Sequence, residues 1–345
     1  MRSRSRPCRL LYPLASTDFT IGPHARPLLG HARQMTYEPF ARNGLILRDT
    51  TGPFVTQRSL TRDVAAGSLL RLRRGAYVET AVWNTLSARQ QHILRIQSVV
   101  ASGQRRVVIC GLSAAALWGM PVKGPWPDDV HVLERRQGGG RSDPGIRRSS
   151  VGETTARTVT IRGVVVTDLA RTTLEVARAQ TFTDAIGSVD WTLSPRNPNA
   201  ITADELSVDL RRLEPRTGAA HLQRLIQFAS PLSGSFYESA ARAAMHLLGF
   251  AAPELQVVFT DAKGDMIPDF LWRKVRKAGE FDGKEKYTRE EYTQGNPNDV
   301  VWAEKKREDR LRALGLGVVR ILTEHVENPR ELEKLLTAAG VPRIR

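Results

Sequence analysis

The sequence predicts a mixed α/β, multidomain chain, and three observations carry that expectation. Segments with the 3.6-residue period of amphipathic helices alternate with short runs of strand-like alternation along most of the 345 residues. Hydrophobic residues make up 41%, enough for real cores, and at about 100–200 residues per domain the length allows two or three. Charge is patterned at both ends, with arginines on a helix and hairpin early in the chain and carboxylates on successive strands late in it.

The chain carries 51 Lys and Arg against 36 Asp and Glu, a formal charge of +15 with a pI near 10.4. Such a charge attracts polyphosphate at low salt, and by itself does not separate DNA from RNA or an anionic membrane surface. Cys8 and Cys110 are the only cysteines, far apart in unlike contexts. That spacing excludes a disulfide framework or a zinc cluster and makes the reducing cytoplasm the expected compartment. No apolar run reaches the roughly 20 residues that a membrane span needs, so no membrane partner is expected.

Residues 1–34 hold Arg2, Arg4, Arg6, Arg9, Arg26 and Arg33 against Asp18, with Pro7, Pro13, Pro23 and Pro27 breaking any helix. They read as a disordered basic extension upstream of a start at Met35, with a transit peptide or a basic arm as the alternatives. Residues 35–82 form the first domain. Tyr37–Asp49 has helical spacing, Thr50-Thr51-Gly52-Pro53 is a turn, and Thr56 caps a second helix over Gln57–Ala66 that Gly67 ends. Leu60 and Val64 share one face of that helix, and Arg58 and Arg62 another. Leu70–Arg73 and Ala76–Val78 flank an Arg74-Gly75 turn as a basic hairpin. Helix, turn, helix and hairpin make a winged helix. In such a module Arg58 and Arg62 face the major groove, and Arg71, Arg73 and Arg74 face phosphate; the competing reading is a solvated basic face.

Residues 83–200 form a small α+β middle domain. Leu86–Val100 and Leu112–Trp118 suit helices, Val107–Cys110 and Asp129–Leu133 strands, and Glu134–Arg157 an exposed loop rich in Arg, Gly and Ser. His131, alone on an apolar strand without a Ser, Cys or second His at useful spacing, reads as structural. Val159–Val166 is a strand, Asp168 caps an amphipathic helix through Arg178, and Pro195–Asn199 is a loop. Residues 201–232 read as a helical linker opened by Thr202.

Residues 233–345 form the third domain. Ser233 or Ser235 caps a helix striped by Tyr237, Ala241, Ala244 and Leu248, with Glu238 at its border. Leu255–Phe259 and Met266–Trp272 are strands around an Asp261–Gly264 turn, and Phe281 lies on a further strand with Glu280 and Asp282 on the face opposite it. Consecutive strands bring these acids near Asp269. Convergent carboxylates can hold a hard cation such as Mg²⁺, which activates water and stabilises charge on a phosphodiester. In a basic chain that chemistry points to a nuclease. Glu238 in a first turn also complements the helix dipole, and Glu304 with Arg307 reads as a surface pair or Arg307 as a phosphate contact.

The run Gly44–Leu47 through Val55-Thr56, with Leu60, Gly67 and the Arg71–Val78 hairpin, resembles the N-terminal domain of AbiEi-type antitoxins, autoregulating repressors of bacterial type IV toxin–antitoxin systems. The organisation of the middle region resembles the second part of those proteins. The order helix Glu238, strand Asp269 and Glu280-x-Asp282-Gly283 resembles the restriction-endonuclease-like superfamily, in the branch related to very-short-patch-repair endonucleases. Pro253–Gln256, Glu304–Asp309, Leu311–Gly315 and Val318–Arg320 continue that pattern. The resemblance implies an α/β sandwich on a central mixed sheet. It makes Asp269 and Glu280 the ligands of Mg²⁺ or Mn²⁺, Glu238 an outer ligand or water-orienting group, and Asp282 a third carboxylate. The superfamily has Lys where this chain has Asp282, so Lys284 or Lys286 supplies that cation from a shifted position, or the site keeps DNA affinity without turnover.

Two function classes follow. One is a Mg²⁺-dependent endonuclease acting on DNA, with RNA cleavage as a weaker alternative because the phosphate chemistry at the metal is similar. The other is a non-catalytic AbiEi-type regulator on a toxin-operon promoter, its C-terminal domain a degenerate nuclease.

Overall fold

The computed structural model describes residues 44–48, 55–102, 107–134, 143–150, 156–215, 217–283 and 306–344. The expected extension 1–34, the turn at Thr50–Pro53, and Lys284, Lys286 and Glu304 lie outside these residues. The chain is mixed α/β and divides into two units, Met1–Leu86 and Ser87–Arg345.

In the first unit, Thr56 and Ser59 cap the helix α1 (Gln57–Ala65) reciprocally, each side chain accepting the other's amide at 3.1 Å. Leu60 is fully buried against Ile46, Leu69 and Tyr77, with Val55 and Val64 packed around them. The hairpin is present as β2 (Leu69–Arg73) and β3 (Ala76–Glu79), turning at Arg74-Gly75, where Gly75 has φ +80°. The sequence expectation of a helix through Asp49 is corrected here: Leu45–Leu47 is a strand, β1, paired antiparallel with β3 from Leu45↔Val78 to Leu47↔Ala76. Three consecutive apolar residues fit a helix or a strand equally well, and the open edge of β3 decides between them. A short helix α2 (Thr80–Thr85), which the sequence pattern did not reveal, follows.

The second unit opens with α3 (Ala88–Ser102), β4 (Val108–Ile109), α4 (Gly111–Trp118) and β5 (Val130–Glu134). The expected loop 134–157 contains a strand, β6 (Ile146–Ser150), parallel to β5, and Val159–Val166 is a hairpin of β7 (Thr158–Ile161) and β8 (Val164–Thr167) rather than one strand. Arg162, at φ +49°, and Gly163 make its turn. The resulting mixed sheet has the order β6-β5-β4-β8-β7.

Helices α5 (Leu169–Arg178), α6 (Phe182–Leu193), α7 (Ala203–Leu213) and α8 (Ala219–Phe228) share one core with α9 (Phe236–Leu247) through Leu174, Ile186, Val189, Leu206, Leu222, Leu225 and Ala243. Asp168 and Thr202 cap α5 and α7 as expected. The 201–232 stretch thus contributes core. Helix α6 is buried on several sides, Ser188, Asp190 and Thr192 as well as Ile186, Val189 and Leu193, which blurs the amphipathic pattern that marks a helix in sequence. Its Gly187 admits the Phe236 ring, which a Cβ there would meet at 2.6 Å from Cε2.

The last part is a layered sandwich. Strands β11 (Phe270–Trp272), β12 (Lys277–Asp282) and β13 (Gly317–Leu322) form a sheet with β12 central, antiparallel to β11 and parallel to β13. Phe270, Trp272, Phe281, Val319 and Ile321 face α9, α11 (Thr323–Glu327) and α12 (Pro329–Ala338). Leu271, Ala278 and Val318 face the other way, toward Leu311 on the helix α10 over 306–313 and toward the hairpin β9 (Phe259–Asp261) and β10 (Gly264–Met266). Two expectations are corrected here. Leu255–Val258 is not regular strand beyond a bridge at Glu254, and Met266–Trp272 is interrupted at Ile267–Asp269. Pro268 lacks the amide a continuous ladder needs.

Candidate functional site

In the first unit, α1 presents Arg58 and Arg62 outward, one turn apart and opposite Leu60. Arg62 leans on Asp63 at 3.3 Å, a surface pair that salt weakens. Arg71 and Arg74 are exposed on the hairpin. Arg73 is half-buried instead, because the ladder shifts register between Arg71 and Arg73 and spoils the alternation that the sequence expectation assumed.

In the second unit the carboxylates are brought together in two groups around the end of β12. The β11–β12 ladder ends where Phe270 pairs with Gly279, and Asp269 precedes it, next in sequence to the last paired residue of β11. The break at Pro268 frees Asp269 to turn its side chain back, where Oδ2 accepts the Phe281 amide at 2.7 Å. Phe281 itself stacks on Tyr237 of α9, centroids 5.7 Å apart. The next residue of α9 is Glu238, and its carboxyl is held above the ordinary carboxylate range by burial first and the nearby Asp269 charge second. Ser235 caps α9 by accepting the Glu238 amide at 3.2 Å, and Glu238 Oε2 in turn accepts the Gly234 amide at 2.7 Å. Arg196 closes the same loop through the Gly234 carbonyl at 2.9 Å.

Glu280 and Asp282 lie on the sheet face opposite Phe281, as the strand alternation predicts, and two arginines meet them there. Arg307 Nη2 on α10 is 3.3 Å from Glu280 Oε1, and Arg320 Nη1 on β13 is 3.3 Å from Asp282 Oδ2. Arg320 Nη2 also donates to Glu308 at 3.0 Å. These side chains line a cavity of about 40 Å³ with Val318 and Phe281. Asp282 Oδ1 is buried there without a hydrogen-bond partner among the described residues. Arg320 was not singled out from the sequence as a charge at this site, although its β-strand parity with Val318 placed it on this face. The expected pairing of Arg307 with Glu304 is outside the described residues.

Among the described residues no three His, Cys, Asp or Glu side chains form a group able to hold a metal ion. A cation held by Asp269 and Glu280 alone still fits the donor chemistry, since Mg²⁺ characteristically takes one or two carboxylates and completes its shell with water and substrate phosphate.

Elsewhere in this unit, Asp190 and Arg242 form a buried pair at 2.9 Å. Asp190 also accepts the Ser230 amide at 2.8 Å and the Ser233 hydroxyl at 3.0 Å, which fixes the loop leading to Glu238. His131 is half-buried, its ring pressed on Gly111, and its amide donates to the buried Ser113 hydroxyl. Burial and the Glu175 charge push the Cys110 thiol up to about 12, so it stays protonated at neutral pH. Among the described residues no helix is long and apolar enough to cross a membrane.

No family model matches the chain. It is similar to two uncharacterized proteins of Mycobacterium tuberculosis, MT2308 of strain CDC 1551 / Oshkosh and Rv2248 of strain ATCC 25618 / H37Rv. Each is 27% identical over 280 residues, covering 79% of this chain and 92% of the relative.

Proposed function

We propose that this protein binds duplex DNA through its first unit and hydrolyses phosphodiester bonds at the Asp269–Glu280 end of β12. The observation that carries the reading is the Asp269 side chain accepting the amide of Phe281, the residue that follows Glu280 on β12. These two carboxylates would hold Mg²⁺ or Mn²⁺, which when bound supplies charge neutralisation at the phosphate and an acidified water. Glu238, on α9 beside Asp269, would be the outer group that orients that water, its carboxyl raised above the ordinary carboxylate range by burial and by the Asp269 charge. Arg58, Arg62, Arg71 and Arg74 supply the sequence-independent phosphate attraction that a basic helix and hairpin offer. Asp282 stands as a third carboxylate paired with Arg320, and Lys284 lies outside the described residues.

The second reading is a regulator that binds a promoter without cutting. It is favoured by the arginines already seated on Glu280 and Asp282. One experiment separates the two: supercoiled plasmid and single-stranded DNA are incubated with the full chain in Mg²⁺, Mn²⁺ or EDTA, alongside Asp269→Ala. Metal-dependent nicking that the variant loses supports the nuclease; binding without cleavage on every substrate supports the regulator.

A further inference from the structure

Two arginines from different elements converge on the acids of β12, Arg307 also reaching the Ile267 carbonyl and Arg320 the Glu308 carboxylate, and their contacts with those acids are looser than the two-nitrogen grips elsewhere in this unit. Arg310 grips Asp261 through two nitrogens, at 2.8 and 2.5 Å, and Arg273 grips Glu254 through two, the shortest at 2.7 Å. Arg307–Glu280 and Arg320–Asp282 each stand at 3.3 Å, longer than the 2.7–2.9 Å or so of a full charge-assisted bond. The carboxylates lie deep, with 21% and 17% of the side chain exposed, and the guanidiniums lie above them at 41% and 44%. The cations therefore form the outer layer of the cavity and the acids its floor.

We propose that Arg307 and Arg320 are the phosphate-binding pair of this site, and that nucleic-acid phosphate competes with Glu280 and Asp282 for them. A guanidinium presents a planar fork that fits phosphate as well as carboxylate, and a long, half-exposed contact is the one a phosphate displaces. While the arginines rest on the acids, their positive charge opposes a divalent cation at Glu280. Once phosphate draws them off, that carboxylate is released to the cation. Nucleic acid and metal then bind with positive coupling, each raising the affinity of the other by the same factor. The partial seating of Asp282, whose Oδ1 is left without a hydrogen-bond partner among the described residues, is consistent with a site not completed by the arginine. This proposal rests on the metal-dependent reading of Asp269 and Glu280.

The test is Mn²⁺ binding to the full chain, followed by the paramagnetic resonance of free Mn²⁺, with and without a short DNA duplex. Glu280→Gln in the same duplex supplies the background for metal held by DNA itself. The wild-type chain is expected to bind Mn²⁺ more tightly with duplex by roughly 5- to 150-fold, the usual range of coupling between sites. Arg307→Gln with Arg320→Gln should bind Mn²⁺ more tightly than wild type without duplex and lose most of the duplex effect. Arg307→Lys with Arg320→Lys keeps the charge but not the fork, and should stay near wild type without duplex with a reduced duplex effect. Circular dichroism confirms that each variant is folded, and the lysine pair serves if the glutamine pair is not. Glutamine or lysine variants whose Mn²⁺ affinity and duplex response match wild type, with Glu280→Gln still losing the metal, would overturn the arginine role alone. Absence of Mn²⁺ binding in wild type and every arginine variant, with duplex present, would overturn the metal-dependent reading and this proposal together.

Discussion

The amide of Phe281 donates to Asp269 Oδ2 at 2.7 Å, so a backbone group of the central strand aims the acid that ends its neighbour. One residue thereby joins the two halves of the site. The Phe281 ring packs on Tyr237 on the α9 side, while its neighbours Glu280 and Asp282 point to the other face.

Asp269→Asn keeps an oxygen for that amide, whereas Asp269→Ala leaves it without its acceptor. The alanine variant should therefore lose about 1–2 kcal/mol more stability than the asparagine variant. Both should lack metal-dependent cleavage. Urea unfolding and plasmid nicking on the same preparations check the two halves of this expectation, and cleavage by either variant would move the site elsewhere.

Arg58→Ala and Arg62→Ala, on the outer face of α1, should weaken duplex binding and each lower the slope of log affinity against log salt by about one. Fluorescence anisotropy at several salt concentrations reads this. Arg73→Ala should change that slope less, because the side chain is half-buried. An unchanged slope in the α1 variants would remove that helix from the interface.

Asp190→Ala strands the buried Arg242 charge and frees the 230–233 loop, with an expected cost of about 3–5 kcal/mol. Adding Arg242→Met should recover part of it, since the uncompensated charge is then gone. A double variant as unstable as Asp190→Ala would show that the loop anchoring, and not the charge, sets the cost.

His92 is fully buried, stacked on Trp126 and bonded to Ser113 at 2.9 Å. Burial first, and the Arg95 charge second, lower its pKa from the usual 6.5 to about 4. Above pH 6.5 it is neutral in both folded and unfolded chains. As pH falls from there toward 4 the unfolded chain takes up a proton that the folded chain refuses, so stability is lost across that window, up to about 3 kcal/mol in total. The difference in unfolding free energy between wild type and His92→Gln should shrink by that amount from pH 7.5 to pH 4. A pH-independent difference would mean that His92 titrates alike in the folded and unfolded chains.

Local chemistry made much of the fold legible. Thr56, Asp168, Thr202 and Ser235 each cap the helix expected of them, because an N-cap is decided by side chain and backbone within four residues. The Arg74-Gly75 turn and the strand alternation that separates Phe281 from Glu280 and Asp282 are equally local. Several of the misses are places where a distant partner decides, whereas the break at Pro268 and the Arg162-Gly163 turn are local. Leu45–Leu47 is a strand because β3 is there to pair with it, β6 exists because β5 offers an edge, and α6 hides polar side chains that distant groups such as Arg242, Ser230, Ser233 and the Pro121 carbonyl satisfy.

By itself the sequence determined the mixed α/β class, the basic helix and hairpin, and the identity of the acids at the ends of the late strands. Only the tertiary structure decided which of those acids share a face, that Asp269 turns back onto β12 beside Glu238, and that Arg307 and Arg320 come to rest on Glu280 and Asp282. The reason is that side-chain period is written along one strand, whereas the meeting of residues 12 to 38 positions apart depends on strand register and on the helices packed over it.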